Sequence, residues 1–277
     1  MKKLIDLHTH TNMSDGSMTP SELVMHAKNR GLCAVAVTDH DCFDGVAEAM
    51  KTGEDIGIEV VPGIELSAQS ATETHILGYY IDINNPVLIS KISELKAMRL
   101  KRNKDTEEKL LEHGYNVTTE DAKKFSGGNM LNRAHFAKAM VEKGYVKSVK
   151  EALSTVLVNG GPCYSKIQLM SAKECVSLIK AAGGMAFAAH LHQMKKSDEE
   201  LFEFLKEMKN CGLCGIEGYY TDYTPEMEQK FRSFAKELDL LISGGTDFHA
   251  DMKPHIAIGK GLGNMEIPYS VLENIKS

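Results

Sequence analysis

Short apolar runs alternate with helix-start signals along most of the chain. Apolar or β-branched runs favour strands at residues 4–7, 33–37, 58–66, 75–81, 185–189, 215–220 and 240–243. Between them, Thr19-Pro20-Ser21-Glu22 combines an N-cap, a first-turn proline and a capping-box glutamate, and Ser171 and Ser197 begin similar boxes. Strands that alternate with helices in this way predict a parallel sheet covered by helices.

The pattern changes after residue 86, where helical periodicity replaces the strand runs as far as about residue 166. Asn85-Pro86 begins a long helix with Leu88, Ile92 and Leu95 at core spacing, and residues 132–143 and 148–160 carry two more helical patterns. We therefore predict one β/α scaffold, formed by residues 1–96 and 167–277, that is interrupted by a helical insertion at residues 97–166.

Composition and charge narrow the class of protein. The chain has 277 residues, of which 43% are hydrophobic and 25% charged, so it can bury a large core. A net charge of −6 at pH 7 disfavours long nucleic acid as a partner by bulk charge, but not a short phosphorylated ligand. The N-terminus lacks a signal-peptide pattern, and no run approaches the ~20 apolar residues of a membrane span. We expect a cytoplasmic protein without a membrane partner; the sequence carries no signal for its oligomeric state.

Almost every predicted strand ends in a histidine or a carboxylate. These residues are His8, His10, Asp39, His40, Glu65, His190, Glu217, Asp247 and His249. In a β/α barrel the carboxyl ends of the strands converge on one face, so these side chains are expected to meet there. A His-x-His spacing on a strand sends both rings to one side, and imidazole with carboxylate suits Zn, Fe and Mn. Glu65 has two oxygens and can bridge two ions.

The order of these motifs resembles the polymerase and histidinol phosphatase (PHP) family. The matching motifs are His8-Thr-His10, Asp15, Thr38-Asp39-His40, Glu65, His75, Ala189-His190 and Asp247-Phe-His249. The resemblance implies an α/β fold, a distorted seven-stranded (β/α) barrel that binds two or three divalent Mn, Fe or Zn ions. It assigns one ion to His8, His10, Glu65 and Asp247, a second to Glu65, His75 and His190, and a third to Asp15, His40 and His249.

The helical insertion is similar to that of stand-alone PHP phosphoesterases, in which an insertion arginine contacts substrate phosphate. The matching stretch here is Leu131-Asn-Arg133-Ala-His135. Arg133 lies near a predicted helix N-terminus, where backbone N–H groups also favour an anion. Candidate substrate contacts are Arg133, His135, Arg99, Arg102 and Lys166. For Arg99 and Arg102 a plain solvated helix face is the favoured interpretation, and for Arg133 a solvated surface arginine is the alternative.

The resemblance implies a metal-dependent phosphoesterase that hydrolyses a nucleotide or short oligonucleotide with a water activated by the ions. A 3′,5′-bisphosphate nucleotide and a 5′-phosphorylated oligoribonucleotide are the expected substrates. Arg133 is expected to neutralise phosphate charge, and Asp39 to orient a ligand or transfer a proton. The family commonly has Ala-His-Pro where this chain has Ala189-His190-Leu191-His192, so His192 becomes a candidate proton donor. Glu217 is expected to satisfy a buried hydrogen bond.

Three other functions stay open at this point. Histidinol phosphate or another small phosphate ester is the alternative substrate class. An amidohydrolase barrel also begins with His-x-His, but it would use a carboxylated lysine or similar bridge where this chain has Glu65. A non-catalytic, metal-stabilised binding module is the alternative of another class.

Overall fold

The computed structural model describes residues 2–126, 128 and 130–277. The chain forms two compact units, one of Met1–Lys91 with Leu169–Ser277 and the other of Ile92–Gln168. The boundaries lie within a few residues of the predicted ones at 96/97 and 166/167. We call the unit of Ile92–Gln168 the insertion.

The first unit is built on seven strands that neighbour one another in chain order. They are β1 (Leu4–Asp6), β2 (Leu32–Val37), β3 (Glu59–Ser67), β4 (His75–Tyr79), β5 (Met185–Ala188), β6 (Leu213–Tyr220) and β7 (Leu241–Gly245). The backbone N–H of Leu7 donates to the carbonyl of Gly244 at 3.1 Å, which brings β7 back beside β1. The sheet therefore curves into a nearly closed barrel.

The prediction of an all-parallel sheet was wrong for one strand. Strands β1 to β3 are parallel, as are β5 to β7, whereas β4 pairs antiparallel with both β3 and β5. Residues 68–74 join β3 to β4, and a parallel crossover needs a dozen or more residues. The short connection forces β4 to reverse direction.

The helices of the first unit are α1 (Pro20–Asn29), α2 (Val46–Ile56), α7 (Ala172–Ala181), α8 (Asp198–Cys211), α9 (Pro225–Glu237) and α10 (Ser270–Lys276), with 3-10 helices at Leu191–Met194 and Ala250–Met252. Helices α1, α7, α8 and α9 begin directly after a residue whose side chain caps them. Reciprocal capping boxes form at Thr19, Ser171 and Ser197, as predicted. Helix α2 was not predicted, because its N-cap Gly45 has no side chain to signal the start.

The insertion is helical. Most of α3 (Pro86–Glu112), together with α4 (Thr119–Lys123), α5 (Arg133–Glu142) and α6 (Val149–Thr155), belongs to it, and none of its described residues forms a strand. Leu110, Phe136 and Met140 are almost fully buried in its apolar core. The insertion therefore has an apolar core of its own, in which burial of each such side chain stabilises the folded state by roughly 1.5–3 kcal/mol.

Apolar clusters fill and cover the barrel. One joins Ile5, Leu77 and Phe187 from the strands to Leu272 of α10, and another packs α1 and α2 against β2. These layers hold the strand ends in fixed positions. All six cysteines are free thiols. Within the described part of the chain, no helix has the length and apolar character needed to cross a membrane.

Candidate metal centre

The carboxyl ends of the strands gather the predicted ligands at one end of the barrel. His8 and His10 follow β1, His40 follows β2, His190 follows β5, and Asp247 and His249 follow β7. Glu65 lies near the end of β3. Because β4 is antiparallel, its first residue, His75, pairs with Ser67 at the same end. The reversed strand thus places His75 beside ligands from parallel strands.

Glu65 lies at the centre of this cluster, with a side chain that is 1% exposed. Its Oε1 lies 2.9 Å from His75 Nδ1, 3.0 Å from His190 Nε2 and 3.4 Å from His8 Nε2. Its Oε2 lies 2.8 Å from His40 Nδ1 and 3.4 Å from His10 Nε2. One carboxylate therefore faces five imidazoles, which is the position that a carboxylate bridging two ions requires.

Two further carboxylates lie beside the histidines. Asp247 Oδ1 is 3.2 Å from His10 Nε2 and 3.4 Å from His249 Nδ1. Asp15 Oδ1 is 3.2 Å from His249 Nε2, and its Oδ2 is 3.8 Å from His40 Nε2. All nine residues of the predicted ligand set consequently form one continuous cluster.

Three overlapping groups have potential ligand atoms within 4.8 Å of one another. They are His10, Asp15, His40 and His249; His8, His10 and Glu65; and His40, Glu65 and His75. In the partition implied by the family resemblance, His10 was assigned only with His8, Glu65 and Asp247, and His40 only with Asp15 and His249. The geometry brings each of these two histidines close to a second group as well.

Buried polar atoms in the cluster test whether its residues fit a metal. Among the described residues, no hydrogen-bond partner at a suitable angle reaches Nε2 of His8, either ring nitrogen of His10, Nδ1 of His40 or Oε2 of Glu65. An unsatisfied buried polar atom costs roughly 1–3 kcal/mol. Imidazole nitrogens and carboxylate oxygens are the preferred protein ligands of Zn, Fe and Mn, so these residues fit divalent ions.

The cluster holds its carboxylates ionised. Burial alone would raise the pKa of Asp15, but His40 and His249 lower it well below its usual range. Burial likewise opposes the ionised form of Asp247, and Lys253 and His249 lower its pKa well below the ordinary value. Burial and the neighbouring His249 and His40 lower the pKa of His10. Ionised carboxylates beside a neutral imidazole are the forms that bind cations.

Backbone strain accompanies two of the cluster residues. His190 has φ 27° and ψ 61°, and Asp247 has φ 57°, values that non-glycine residues rarely adopt. Each such residue costs of order 1–3 kcal/mol and is typical of functional sites. The backbone is also closely packed beside His8: at Gly245 any Cβ would lie 2.3 Å from the Cβ and the backbone nitrogen of His8, so only glycine fits there.

The predicted acid–base candidates lie at the cluster in different environments. Asp39 is fully buried and accepts hydrogen bonds from the backbone N–H of Thr11 at 2.8 Å, Thr11 Oγ1 at 2.6 Å and Ser14 Oγ at 2.5 Å. It thereby anchors the loop that carries Asp15. His192 is half-buried in the 3-10 helix after His190, with ring contacts to Tyr220 and Tyr223. Burial and the neighbouring His190 lower its pKa.

Sequence reasoning missed two contacts of the cluster. Tyr220 Oη donates to Asp247 Oδ2 at 2.9 Å, and Lys253 Nζ lies 2.6 Å from the same oxygen. Both contacts turn Oδ1 of Asp247 toward the histidines. No motif marks either residue, because each is brought to Asp247 by the tertiary structure alone.

The predicted substrate contacts lie in the insertion, where three arginines are close together. Arg102 is 8% exposed and its Nη2 donates to the carbonyl of Leu131 at 2.7 Å, so the solvated-face interpretation was wrong for this residue. Burial, Arg99 and Arg133 lower the pKa of Arg102 to about 10. Arg133 itself is exposed, with its guanidinium 5.4 Å from the ring centroid of Tyr164. The local excess of positive charge is suited to an anion.

Two further candidates have different surroundings. His135 is 4% exposed, and its Nδ1 accepts from the backbone N–H of Asn132 at 3.2 Å, which completes the N-terminal cap of α5. Lys166 is exposed near the end of the insertion.

Comparisons with known proteins identify chains that are similar to this one. Residues 6–211 match the PHP domain family. A 5′-3′ exoribonuclease from Haemophilus influenzae is 32% identical over 250 residues, which cover 90% of this chain and 91% of that protein. A 3′,5′-nucleoside bisphosphate phosphatase from Chromobacterium violaceum is 32% identical over 89% of this chain and 87% of its own. A solved structure from Bifidobacterium adolescentis, described as a metal-dependent phosphoesterase, has a TM-score of 0.80 at 30% identity, covering 99% of this chain and 95% of that one.

Proposed function

This chain belongs to the PHP family, and from that premise we propose that it is a metal-dependent phosphoesterase of a nucleotide or short oligonucleotide. The observation that carries the proposal is the convergence of five imidazoles on Glu65, with buried ligand atoms that lack hydrogen-bond partners among the described residues. A buried cluster of this composition is costly to form for structure alone.

Two or three divalent ions, with Mn, Fe and Zn as the expected metals, would be held by His8, His10, Asp15, His40, Glu65, His75, His190, Asp247 and His249. When bound, such ions lower the pKa of water to supply a nucleophile near neutral pH and neutralise the charge of phosphate oxygens. The chain's own part is to fix those ligands. Glu65 joins the histidines through both oxygens, and Asp39 fixes the loop before Asp15 through its three hydrogen bonds.

Charge in the insertion favours a substrate with a second phosphate. Arg99 and Arg133 are near enough to lower the pKa of the Arg102 guanidinium, and an exposed arginine such as Arg133 donates paired hydrogen bonds to phosphate. Arg133 is the first residue of α5, so the free N–H groups of the first turn add to this positive region. Histidinol phosphate carries an amine cation, which three arginines would repel. A 3′,5′-bisphosphate nucleotide or a 5′-phosphorylated oligonucleotide fits the charge better, in agreement with the names of the two curated relatives.

Proton transfer to the leaving group falls to a residue beside the cluster. His192 is adjacent to His190 in the turn and its half-buried ring retains access to solvent. Its lowered pKa makes the neutral imidazole the main form at neutral pH, so we assign His192 to take up a proton from water and pass that proton to the leaving alkoxide. Asp39 is assigned to loop anchoring. A cytoplasmic location remains a prediction.

Substrate comparison tests the proposal. Chelator-stripped protein reloaded with Mn²⁺ should hydrolyse adenosine 3′,5′-bisphosphate or a 5′-phosphorylated trinucleotide faster than histidinol phosphate. A faster rate on histidinol phosphate would reverse the substrate order. A folded, metal-loaded chain without activity on a broad panel of phosphate esters would refute the enzyme assignment.

The binding-module alternative predicts a different result for Asp247→Ala. If the ions serve catalysis, this variant keeps its circular dichroism spectrum and loses hydrolysis. If the ions serve structure alone, loss of folding is the main effect. Elemental analysis of gently purified protein gives the metal identity, and fewer than one ion per chain would contradict the proposed centre.

A further inference from the structure

We propose that Glu217 is a positioning residue that orients His8 and fixes the turn at His190. The inference rests on the proposed metal-dependent function and assigns a role to a residue outside the predicted ligand set. The Glu217 side chain is fully buried in β6, and each of its oxygens contacts a different cluster residue.

The first contact sets the orientation of the His8 ring. Glu217 Oε1 lies 2.8 Å from His8 Nδ1, and both side chains are 0% exposed. With its proton on Nδ1 and donated to Glu217, the ring presents the lone pair of Nε2 toward Glu65 and Asp247, at 3.4 and 3.7 Å. A carboxylate on the far nitrogen is the usual means by which proteins fix the tautomer of a ligand histidine.

The second contact holds a strained turn. The backbone N–H of His190 donates to Glu217 Oε2 at 2.6 Å, and the next N–H, of Leu191, donates to Tyr223 Oη at 2.7 Å. His190 has positive φ, so its backbone needs such restraints to persist. The restrained turn leaves His190 Nε2 3.0 Å from Glu65 Oε1. One carboxylate thus couples ligands that follow β1 and β5.

A β-bulge gives Glu217 this position. Pairing with β7 shifts after Glu217, which faces Ser243, whereas Tyr219 faces Gly244. Residues 217 and 220 are three apart, so a regular strand would point their side chains to opposite faces. The extra residue at Gly218 removes that alternation, and both side chains reach the cluster, Glu217 at His8 and Tyr220 at Asp247. A bulge that re-aims two polar side chains is a feature of sites rather than of packing.

Glu217→Gln tests the role, because glutamine has one acceptor and one NH₂ donor. In one orientation the glutamine NH₂ faces the backbone N–H of His190, so two donors oppose each other. In the other orientation the NH₂ faces His8 Nδ1 and favours the His8 tautomer that carries its proton on Nε2. We expect the affinity of chelator-stripped protein for Mn²⁺, measured by calorimetry, to fall about 10- to 100-fold. A folded Glu217→Gln chain that binds Mn²⁺ as tightly as wild type would overturn the inference.

Tyr223→Phe is the matched control. It removes a hydrogen bond from the same turn without touching His8, so its affinity should fall less than that of Glu217→Gln. An equal fall in both variants would assign the effect to the turn alone and overturn the role at His8. These measurements need no substrate. If wild type hydrolyses no ester but Glu217→Gln binds Mn²⁺ more weakly than wild type, the proposed function fails and the inference stands. If wild type hydrolyses the ester and both proteins bind Mn²⁺ equally well, the inference fails and the proposed function stands.

A second measurement covers the case in which Glu217→Gln does not fold. In wild type labelled with ¹⁵N-histidine and loaded with diamagnetic Zn²⁺, the His8 ring should carry its proton on Nδ1. His8→Gln identifies the resonance by its disappearance. A His8 proton on Nε2 would overturn the inference.

Discussion

Replacement of Arg133 by methionine separates substrate recognition from stability. Methionine keeps the length of the aliphatic stem and removes the charge. The exposed guanidinium lies over the Tyr164 ring and within 3.4 Å of the Leu157 carbonyl, and it repels the buried guanidinium of Arg102. The variant therefore loses two weak contacts and relieves one repulsion within the insertion.

We expect Arg133→Met to have a large effect on activity and a small effect on stability. A hydrogen bond to a charged group contributes about 1.5–3 kcal/mol, so kcat/KM for a bisphosphate substrate should fall roughly 10- to 150-fold. Solvent screens the interactions of an exposed arginine, so the free energy of unfolding should change by less than about 1 kcal/mol. For a chain of this size that corresponds to a Tm shift below about 4 °C.

The assay compares adenosine 3′,5′-bisphosphate with adenosine 3′-monophosphate and 5′-monophosphate, each lacking one phosphate. If Arg133 binds the phosphate that does not react, the loss appears with the bisphosphate and disappears with the monophosphate that is still hydrolysed. Lys138→Met removes the same charge from the same helix and should leave the substrate preference unchanged. An equal loss on all substrates, or none, would refute the assignment.

Three further predictions concern the metal centre. Glu65→Gln should lower the Mn²⁺ content per chain by at least one ion in elemental analysis, because Glu65 contacts five histidines of the cluster; wild-type stoichiometry would contradict a bridging role. Burial opposes protonation of His40, but Glu65 and Asp15 raise its pKa to about 10, so the metal-free chain carries that proton at neutral pH. Ion binding must displace this proton from His40, so the affinity for Mn²⁺ should rise from about pH 6 to about pH 8. The released proton is measured by calorimetry in buffers of different ionisation enthalpy, and identical heats in all buffers would exclude its release. Finally, Mn²⁺ at a free concentration of 100 times its Kd should stabilise the folded chain by about 2.7 kcal/mol, so excess chelator should lower Tm by about 5–11 °C relative to that sample. Scanning calorimetry measures the change, and an unchanged Tm would show that the ions do not stabilise the fold.

The scaffold was predictable because local signals specify it. Apolar runs mark the strands, and the capping boxes at Thr19, Ser171 and Ser197 mark helix starts within a residue or two. The predicted (β/α) barrel class is confirmed by the seven strands and by the PHP relatives. The direction of β4 was missed because an apolar run has the same composition in a parallel and in an antiparallel strand.

The site was predictable in its residues but not in its contacts. Histidines and carboxylates at strand ends are visible in one sequence, since the barrel rule converts sequence position into spatial proximity. Lys253 and Tyr220 were missed because their contacts with Asp247 depend on the path of the loop after β7 and on the bulge in β6. The burial of Arg102 depends on the Leu131 carbonyl, which helical periodicity does not reveal.

Departures from regular barrel geometry produce the arrangement around Glu65. The reversal of β4 brings His75 to the ligand end, the bulge at Gly218 turns Glu217 and Tyr220 toward the cluster, and positive φ aims His190. A regular parallel barrel with the same residues would leave His75 at the opposite end of the barrel and point Glu217 and Tyr220 to opposite faces of β6. The positive φ of His190 and the bulge in β6 cost stability, and all three departures aim polar side chains at one place, so binding of cations there is the gain that explains them together.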